Sequence, residues 1–355
     1  MITRICKILF CTLFFAVCLF FSLAMALPGA SNVAEGGVEK PEFTINGRIN
    51  EDFGDQFEEY FSKAFAYRSN VVALYSSLKA GLFAEGNDQV VIGKNDFLYF
   101  ADTLNDYTGL APMTDDELSA AADSLRALSD YAAERGAKLL FVCAPNKNHI
   151  YPEYMPARYL ASDQPTNLDR LYSLLDENGV AYVDLREPLL EAKSERLIYY
   201  RRDTHWNQDG ARIAVEAMAD RLGFALPDID SLVRTEPTDL LGDLDTLLFP
   251  DGERYDVNPT YDFSELFIYT SAYSTPMDMQ ISTRGAGSGK ALIFRDSFAN
   301  ALIPFLASSF SETRFERAQP YRIDLLSEFD ADYVIVELAE RNLRTLIGSD
   351  ERIGG

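Results

Sequence analysis

Apolar stretches typical of buried strands alternate with amphipathic stretches along most of this chain. Continuous apolar runs occupy Lys138–Ala144, residues 291–294 and residues 333–337. Helical periodicity extends over residues 114–135 and 168–178, and a glycine follows each of these two segments. Strands and helices that alternate in this way predict an α/β domain with a mostly parallel sheet and helices on both of its faces.

The N-terminus carries a different pattern. Arg4 and Lys7 precede an apolar run, residues 8–27, that contains no charged residue. Such a run predicts a secretory signal peptide, with a small-residue cleavage pattern at 24–26, or an uncleaved anchor long enough to span a bilayer. We favour the anchor, with its N-terminus inside because the nearby cations lie there. Residues 28–45 are then a linker, and the remainder is exported to the periplasm or the extracellular face of the cytoplasmic membrane.

Residues 46–89 form a predicted helical region before the main domain. Phenylalanine recurs there at every fourth position: Phe53, Phe57, Phe61 and Phe65. Core packing explains such a stripe most simply, and docking to a partner or a membrane surface is the alternative. A hairpin at 90–100 then opens the main domain, residues 90–355. Within it, residues 225–289 contain many prolines and short polar-apolar mixtures, which predict an insertion on the rim of the substrate cleft.

Composition and charge narrow the class of protein. The chain has 355 residues, of which 47% are hydrophobic, and its formal net charge is −23. These values predict a globular protein without the basic stretch that a nucleic-acid binder needs. The charge also fits a neutral glycan better than a polyanion, unless a local basic groove is present. Three of the four cysteines lie in or beside the N-terminal apolar run, so Cys143 has no disulfide partner in the exported part.

One of the two histidines, His205, has a carboxylate two residues before it, Asp203. The run before this pair, residues 196–200, predicts a strand, and the run after it predicts a helix over 207–222 that ends at Gly223. Chemistry in α/β folds lies at such junctions. If the segment is extended, both side chains point to one side, and the carboxylate can orient the imidazole. The pair therefore predicts the base and the orienting acid of a hydrolytic triad.

Ser297 is the candidate nucleophile of that triad. It lies in a short polar turn between the predicted strand at 291–294 and an apolar helix at 298–308. There its hydroxyl would be exposed above the sheet, and its backbone N–H could bind an oxyanion. The simpler interpretation is that Asp296 or Ser297 only caps the helix. The presence of an Asp-His pair in the same chain favours catalysis.

These blocks carry a specific resemblance to a known family. The segments that carry it include Asp203-Thr204-His205-Trp206, Gly210-Ala211, Asp296-Ser297-Phe298 and the hairpin at 90–100. Together they resemble the SGNH hydrolase-like domain of the AlgX/AlgJ alginate O-acetyltransferase family and its DHHW-type relatives. The resemblance implies a three-layer α/β/α domain in which the Asp-His block precedes the serine block, the reverse of ordinary SGNH esterases. It also implies that Ser297 is the nucleophile, His205 the base and Asp203 the orienting acid.

The resemblance further implies an exported O-acyltransferase, with acetyl as the expected group, that acts on an extracellular or cell-envelope polysaccharide through an acyl-enzyme and without a cofactor. In such systems a membrane-bound acyltransferase protein typically supplies the acyl group. The implied partners are therefore that protein, the polysaccharide and, through an uncleaved N-terminal segment, the membrane. A carbohydrate esterase with the same triad, and a non-catalytic glycan-binding or assembly factor, are the alternatives.

Three further residues are candidates for substrate or oxyanion binding: Asn146, Lys147 and Arg295. Asn146 and Lys147 follow a predicted strand, in a loop that faces the ligand crevice of doubly wound folds. An equally simple interpretation is that Asn146 holds the turn and Lys147 is solvated. Arg295 stands where many SGNH enzymes carry glycine before the Asp-Ser pair. His149 has no carboxylate near it in the sequence, so we expect it to line the loop. Two histidines without ligand-pair spacing do not predict a metal site.

Overall fold

The computed structural model describes residues 2–24, 40–45, 47–64, 71, 86–249, 252–273 and 275–353. The chain divides into two compact units, residues 1–84 with 248–251 and residues 85–247 with 252–355. The predicted cleavage pattern at 24–26 and most of the predicted linker at 28–45 lie outside the described residues.

The smaller unit contains two helices, Ile2–Ala24 and Phe53–Ala64, and a hairpin of Thr44–Ile45 with Arg48–Ile49. In the part of the chain that the structure describes, no helix has the length and apolar character needed to cross a membrane. The membrane anchor therefore stays a prediction.

The phenylalanine stripe of this unit is not buried where it is described. Phe57 and Phe61 stack with ring centroids 6.1 Å apart, yet their side chains are 41% and 39% exposed. The expectation of core packing is therefore wrong for these two residues, since both are exposed to solvent. The same helix buries Tyr60 instead. Phe65 lies outside the described residues.

The larger unit is built on a seven-stranded sheet. Its strands, in chain order, are β1 (Lys138–Ala144), β2 (Tyr182–Val183), β3 (Phe267–Tyr269), β4 (Gln280–Gly285), β5 (Lys290–Phe294), β6 (Glu312–Glu316) and β7 (Tyr333–Ala339). They lie side by side in the order β3-β4-β6-β5-β7-β1-β2. The five strands from β6 to β2 pair in parallel, and β3 and β4 extend one edge antiparallel. The mostly parallel sheet is thus confirmed.

Helices cover both faces of the sheet and give three layers. The helices that pack on it are α1 (Asp115–Ala133), α2 (Asn167–Asn178), α3 (Gln208–Leu222) and α4 (Ile303–Ser309). The side chains of α1 and α2 share one buried core with Phe141 and Phe294, whereas those of α3 and α4 share another with Leu140 and Ile293. Neighbours along β1 and β5 thus alternate between the two cores, which is why these strands are continuously apolar.

The helix ends follow the sequence signals. Thr114 and Glu117 form the capping box of α1, and Asn207 caps α3, which ends at Gly223 with φ +80°. The shorter helices are Leu104–Tyr107, Lys147–Ile150, Arg186–Ala192 and Asp243–Leu248, and the shorter strands are Val90–Ile92, Leu98–Phe100, Arg234–Thr235, Thr238–Leu241, Tyr255–Val257 and Thr260–Tyr261. The predicted hairpin at 90–100 is present.

Two local predictions need correction. Residues 196–200 form no strand, and only Tyr199 pairs, in a single antiparallel bridge with Trp206. The chain reverses between these two residues, where the N–H of Tyr200 donates to the carbonyl of His205 (3.2 Å), so the run pairs with its own continuation instead of the sheet. Residues 225–289 are also not only a rim insertion, because β3 and β4 belong to the main sheet.

Candidate active site

Asp296 shapes the turn that presents Ser297. Its Oδ1 accepts a hydrogen bond from the N–H of Phe298 (2.8 Å), and its Oδ2 accepts from the N–H of Ala339 and the amide of Asn342 (both 2.7 Å). Because Ala339 ends β7, these bonds hold the turn after β5 against the neighbouring strand. Asp296 thus does the local capping, and the Ser297 side chain makes no capping bond. The Ser297 hydroxyl lies at the carboxyl edge of the sheet, where such folds bind ligands.

His205 lies between Ser297 and Asp203. Its Nε2 is 2.9 Å from Ser297 Oγ, and its Nδ1 is 2.7 Å from Asp203 Oδ1. Trp206, the next residue, donates its indole N–H to the carbonyl of Phe298 (2.8 Å), which ties the histidine loop to the serine turn. Both ring nitrogens of His205 are therefore engaged, and the structure brings together the three residues that the sequence predicted as a triad.

The Asp203 carboxylate is held in its charged form. Besides the imidazole, Oδ1 accepts from the N–H of His205 (2.8 Å), and Oδ2 accepts from the N–H of Asp243 (2.9 Å). Burial raises the pKa of Asp203, but these hydrogen bonds and the charge of His205 prevail and lower it to about 2. An ionised Asp203 can fix the tautomer of His205 and stabilise the imidazolium when it forms.

Sequence reasoning missed a second carboxylate at this site, Asp243. Its Oδ1 accepts from the N–H of Thr204 (2.8 Å), its Oδ2 accepts from the Thr204 hydroxyl (2.6 Å), and Oδ2 lies 3.7 Å from His205 Nδ1. Burial, and then the charge of Asp203, raise the pKa of Asp243. The residue lies in the predicted rim insertion, and its position as first residue of the helix Asp243–Leu248 signalled only a helix start.

Lys147 is placed differently from the prediction. Its ammonium group is buried and donates to the carbonyls of Tyr200 (3.1 Å), Arg201 (3.1 Å) and Asp203 (2.7 Å). Burial lowers its pKa to about 8. Lys147 is therefore neither solvated nor free to meet a substrate, and instead it holds the loop that carries Asp203.

Asn146 remains a candidate for substrate or oxyanion binding. Neither polar atom of its buried side-chain amide has a hydrogen-bond partner among the residues that the structure describes. With Thr204 and Arg341 it lines a small pocket. The Arg341 guanidinium lies over the rings of Phe298 (5.1 Å to the centroid) and Phe100 (5.5 Å) and makes no ion pair within the described part of the chain. Sequence reasoning missed Arg341, because only the fold brings β7 beside this loop.

Arg295 is held by hydrogen bonds to neighbouring groups of the protein. Its guanidinium donates to Asn300 Oδ1 (2.8 Å) and to the carbonyls of Pro276 (2.8 Å) and Asp278 (3.0 Å), and the side chain is buried. Burial lowers its pKa to about 10. These bonds hold Arg295 in the fold, and the predicted substrate or oxyanion role of Arg295 stays a prediction.

His149 has a partner that the sequence did not reveal. Its Nδ1 lies 2.9 Å from the fully buried carboxylate of Glu340, which also accepts from the N–H of Asn146 (2.8 Å). Burial lowers and the Glu340 charge raises the pKa of His149, and the charge prevails. His149 thus helps to fix the loop after β1 against the end of β7.

The chain matches a family described as "SGNH hydrolase-like domain, acetyltransferase AlgX" over residues 90–269, which is just over half of its 355 residues. This chain belongs to that family. The matched range includes Asp203 and His205 and ends before Ser297, so the pairing of Ser297 with His205 rests on the geometry above.

Relatives agree with this assignment. The protein named probable alginate O-acetylase AlgJ of Pseudomonas syringae pv. tomato is 28% identical over 227 residues, 63% of this chain and 53% of the relative. The chain thus spans about half the length of this relative. Among solved structures, Bacillus cereus PatB1 (TM-score 0.53, 17% identity, 72% of this chain and 97% of that one) and a DHHW family protein from Eubacterium siraeum (TM-score 0.52, 18% identity, 65% and 88%) share the fold.

Proposed function

We propose that this protein is an O-acyltransferase, with acetyl as the expected group, that modifies a polysaccharide through an acyl-enzyme on Ser297. The observation that carries the proposal is the 2.9 Å contact between His205 Nε2 and Ser297 Oγ, with Asp203 on the other ring nitrogen. Membership of the family and relatives named alginate O-acetylase support the transfer of an acetyl group.

In the first step Ser297 attacks the carbonyl carbon of an acyl donor. His205 takes the hydroxyl proton as the Oγ–carbon bond forms, and then gives it to the leaving group of the donor as the second bond breaks. Asp203 stays ionised and stabilises the imidazolium between these two proton transfers. The products are the Ser297 ester and the protonated leaving group.

In the second step a sugar hydroxyl replaces the leaving group. His205 takes the hydroxyl proton while the sugar oxygen attacks the Ser297 ester, and the proton returns to Ser297 Oγ. The glycan thereby gains the acyl group and the serine is regenerated. Water in place of the sugar would give an esterase, so exclusion of water and binding of the acceptor decide between the two activities.

Both tetrahedral intermediates need hydrogen-bond donors for the oxyanion. We assign the backbone N–H of Ser297 and the side-chain amide of Asn146 to this role. The unpartnered, buried amide of Asn146 supports the assignment, because a buried polar group without a partner costs about 1–3 kcal/mol and is rare outside functional sites.

The charge of the chain bears on the acceptor. A net charge of −23 repels a polyanion over long range, which favours a neutral glycan. Locally, Arg341 makes no ion pair among the described residues and provides a cation beside the site, so an anionic polysaccharide such as alginate, which the relatives' name mentions, is also compatible.

The remaining partners follow from the proposed reaction. An acyl donor must reach Ser297 from outside the protein, and a membrane-bound acyltransferase protein is the proposed supplier. The apolar N-terminal run supports export and attachment to the membrane, which would place the reaction in the periplasm or at the extracellular membrane face.

The first experiment measures hydrolysis of a chromogenic acetyl ester by the exported chain. We expect Ser297→Ala and His205→Ala each to lower kcat/KM by at least about 10³-fold, because each removes a reacting group. Ser264→Ala, at an exposed serine, is the matched control and should keep the activity.

The second experiment adds alginate or a neutral glycan with the acetyl donor and quantifies acetylated polymer by mass spectrometry. Acetylated product supports the transferase, and hydrolysis without it supports the esterase. Equal ester hydrolysis by the wild type and both triad variants would refute the triad. Glycan binding without any turnover would favour a non-catalytic glycan-binding factor.

A further inference from the structure

A second cavity opens beside the turn that carries Ser297. Its volume is 190 Å³, enough for about six water molecules at about 30 Å³ each and comparable with one sugar ring. We call it the Tyr321 cavity. Its lining includes Arg317, Gln319 and Tyr321 from the segment after β6, Asn342 and Thr345 from the turns after β7, and Glu337 from β7 itself.

The walls of the Tyr321 cavity carry buried polar atoms without protein partners. Glu337 is 1% exposed and Arg295 is 3% exposed, and both line the cavity. Glu337 Oε1 and Arg295 Nε accept or donate no hydrogen bond among the described residues. Such atoms ordinarily bind water or a ligand, because leaving them unpaired is costly. The lining combines hydrogen-bond donors, such as Arg317 and Gln319, with acceptors, such as Glu337, which suits a ligand rich in hydroxyl groups.

The Tyr321 cavity adjoins the proposed catalytic site through neighbouring residues. Asp296 lines the cavity, and the next residue is Ser297. Asn342 also lines the cavity, whereas the preceding residue, Arg341, lines the small pocket with Asn146. The Asp296–Asn342 hydrogen bond (2.7 Å) therefore joins the turn that carries Ser297 to the segment whose neighbouring residues line the cavity and the small pocket.

We propose that the Tyr321 cavity is a carbohydrate subsite, which binds a sugar unit next to the one that Ser297 acylates. The proposal rests on the proposed function, because only a polymeric acceptor would place one sugar unit in the cavity and another at Ser297. Binding energy gained in the cavity positions the reacting hydroxyl at the acyl-enzyme. A donor ester that lacks sugar units does not reach the cavity and gains nothing from it.

The test uses Gln319→Ala and Thr345→Ala in the full chain. These side chains bind each other (3.1 Å) at the solvent side of the cavity, and neither has a role in the proposed acyl transfer. Alginate oligomers of increasing length serve as acceptors and as binding probes. We expect the variants to keep wild-type hydrolysis of the chromogenic ester, but to lose about 5- to 20-fold in kcat/KM for long oligomers and little for the shortest.

Gln164→Ala, at an exposed glutamine elsewhere, is the control and should match the wild type on every acceptor. Thr345→Trp fills the cavity and should produce the same loss as the alanine variants. If kcat/KM in all three cavity variants depends on oligomer length as it does in the wild type, the subsite is overturned and the cavity holds water only.

Binding of the same oligomers, measured by calorimetry on Ser297→Ala, separates this inference from the proposed function. One outcome is that the wild type acetylates no oligomer, that Ser297→Ala binds long oligomers, and that the double variant with Gln319→Ala binds them more weakly. In that case the transferase proposal fails and the subsite stands. If Ser297→Ala binds no oligomer, the subsite is overturned.

Discussion

Asp243 provides the sharpest test of the electrostatics at this site. Asp243→Asn removes one negative charge and is nearly isosteric. The new amide can still accept from the N–H of Thr204, and the Thr204 hydroxyl can reverse its role and accept from the amide nitrogen. The substitution should therefore remove the charge near His205 while the loop keeps its shape.

The size of the effect follows from the distance. At the 3.7 Å between Asp243 Oδ2 and His205 Nδ1, Coulomb's law gives about 1 kcal/mol in bulk water and about 4 kcal/mol at an effective dielectric constant of 20. The Asp243 side chain is 40% exposed, so solvent screening favours the lower value. The unrounded value at 3.7 Å in water is about 1.1 kcal/mol, which corresponds to about 0.8 pH units. Loss of the charge disfavours the imidazolium, so His205 should become an active base at lower pH.

The assay is the pH dependence of kcat/KM for hydrolysis of the chromogenic ester. In Asp243→Asn the acidic limb should move down by about 0.8 pH units, because the imidazolium loses a nearby negative charge. Asp239→Asn, in the same segment but bonded to Asn258, controls for net charge and should leave the limb in place. A limb that does not move, moves upward, or moves equally in the control would refute the reasoning.

Three further predictions concern the groups that hold the site. Asp203→Asn should lower kcat/KM by about 10⁴-fold, because an amide cannot fix the required tautomer of His205. The pKa of Asp203 is about 2 instead of 3.8, so above pH 4 the ionised carboxylate contributes about 2 kcal/mol to the free energy of unfolding. This contribution disappears as the pH falls towards 2. The acid unfolding of Asp203→Asn should therefore lack this part of the pH dependence. Lys147→Met should lower the free energy of unfolding by about 3 kcal/mol in urea titrations, because three carbonyls lose their donor. Trp206→Phe should lower the free energy of unfolding by about 1 kcal/mol, because the hydrogen bond to the carbonyl of Phe298 is lost. The pH dependence of kcat/KM should stay unchanged.

Local signals in the sequence determined most of the layered fold. The strand Lys138–Ala144 has the bounds that its apolar run predicted, and α3 begins and ends at the predicted Asn207 and Gly223. Burial on both faces of a parallel sheet leaves a continuous apolar run, and caps depend on one or two residues, so both signals are local. The contact between Asp203 and His205 could be predicted from their spacing for the same reason, because side chains two residues apart in the chain are already close.

Tertiary structure alone decided what surrounds these residues. The sequence predicts that Lys147 either binds a substrate or is solvated, and only the reversal of the chain after Tyr199 places three carbonyls around it. His149 and Glu340 are brought together by the pairing of β1 with β7, and Asp243 reaches the imidazole from a segment whose local pattern shows no chemistry. A charge acts over a few ångströms whatever the separation along the chain, so its partners cannot be read from neighbouring residues. The 2.9 Å contact of His205 with Ser297 also depends on tertiary structure. The sequence indicated both residues, and the fold of the sheet brought them together.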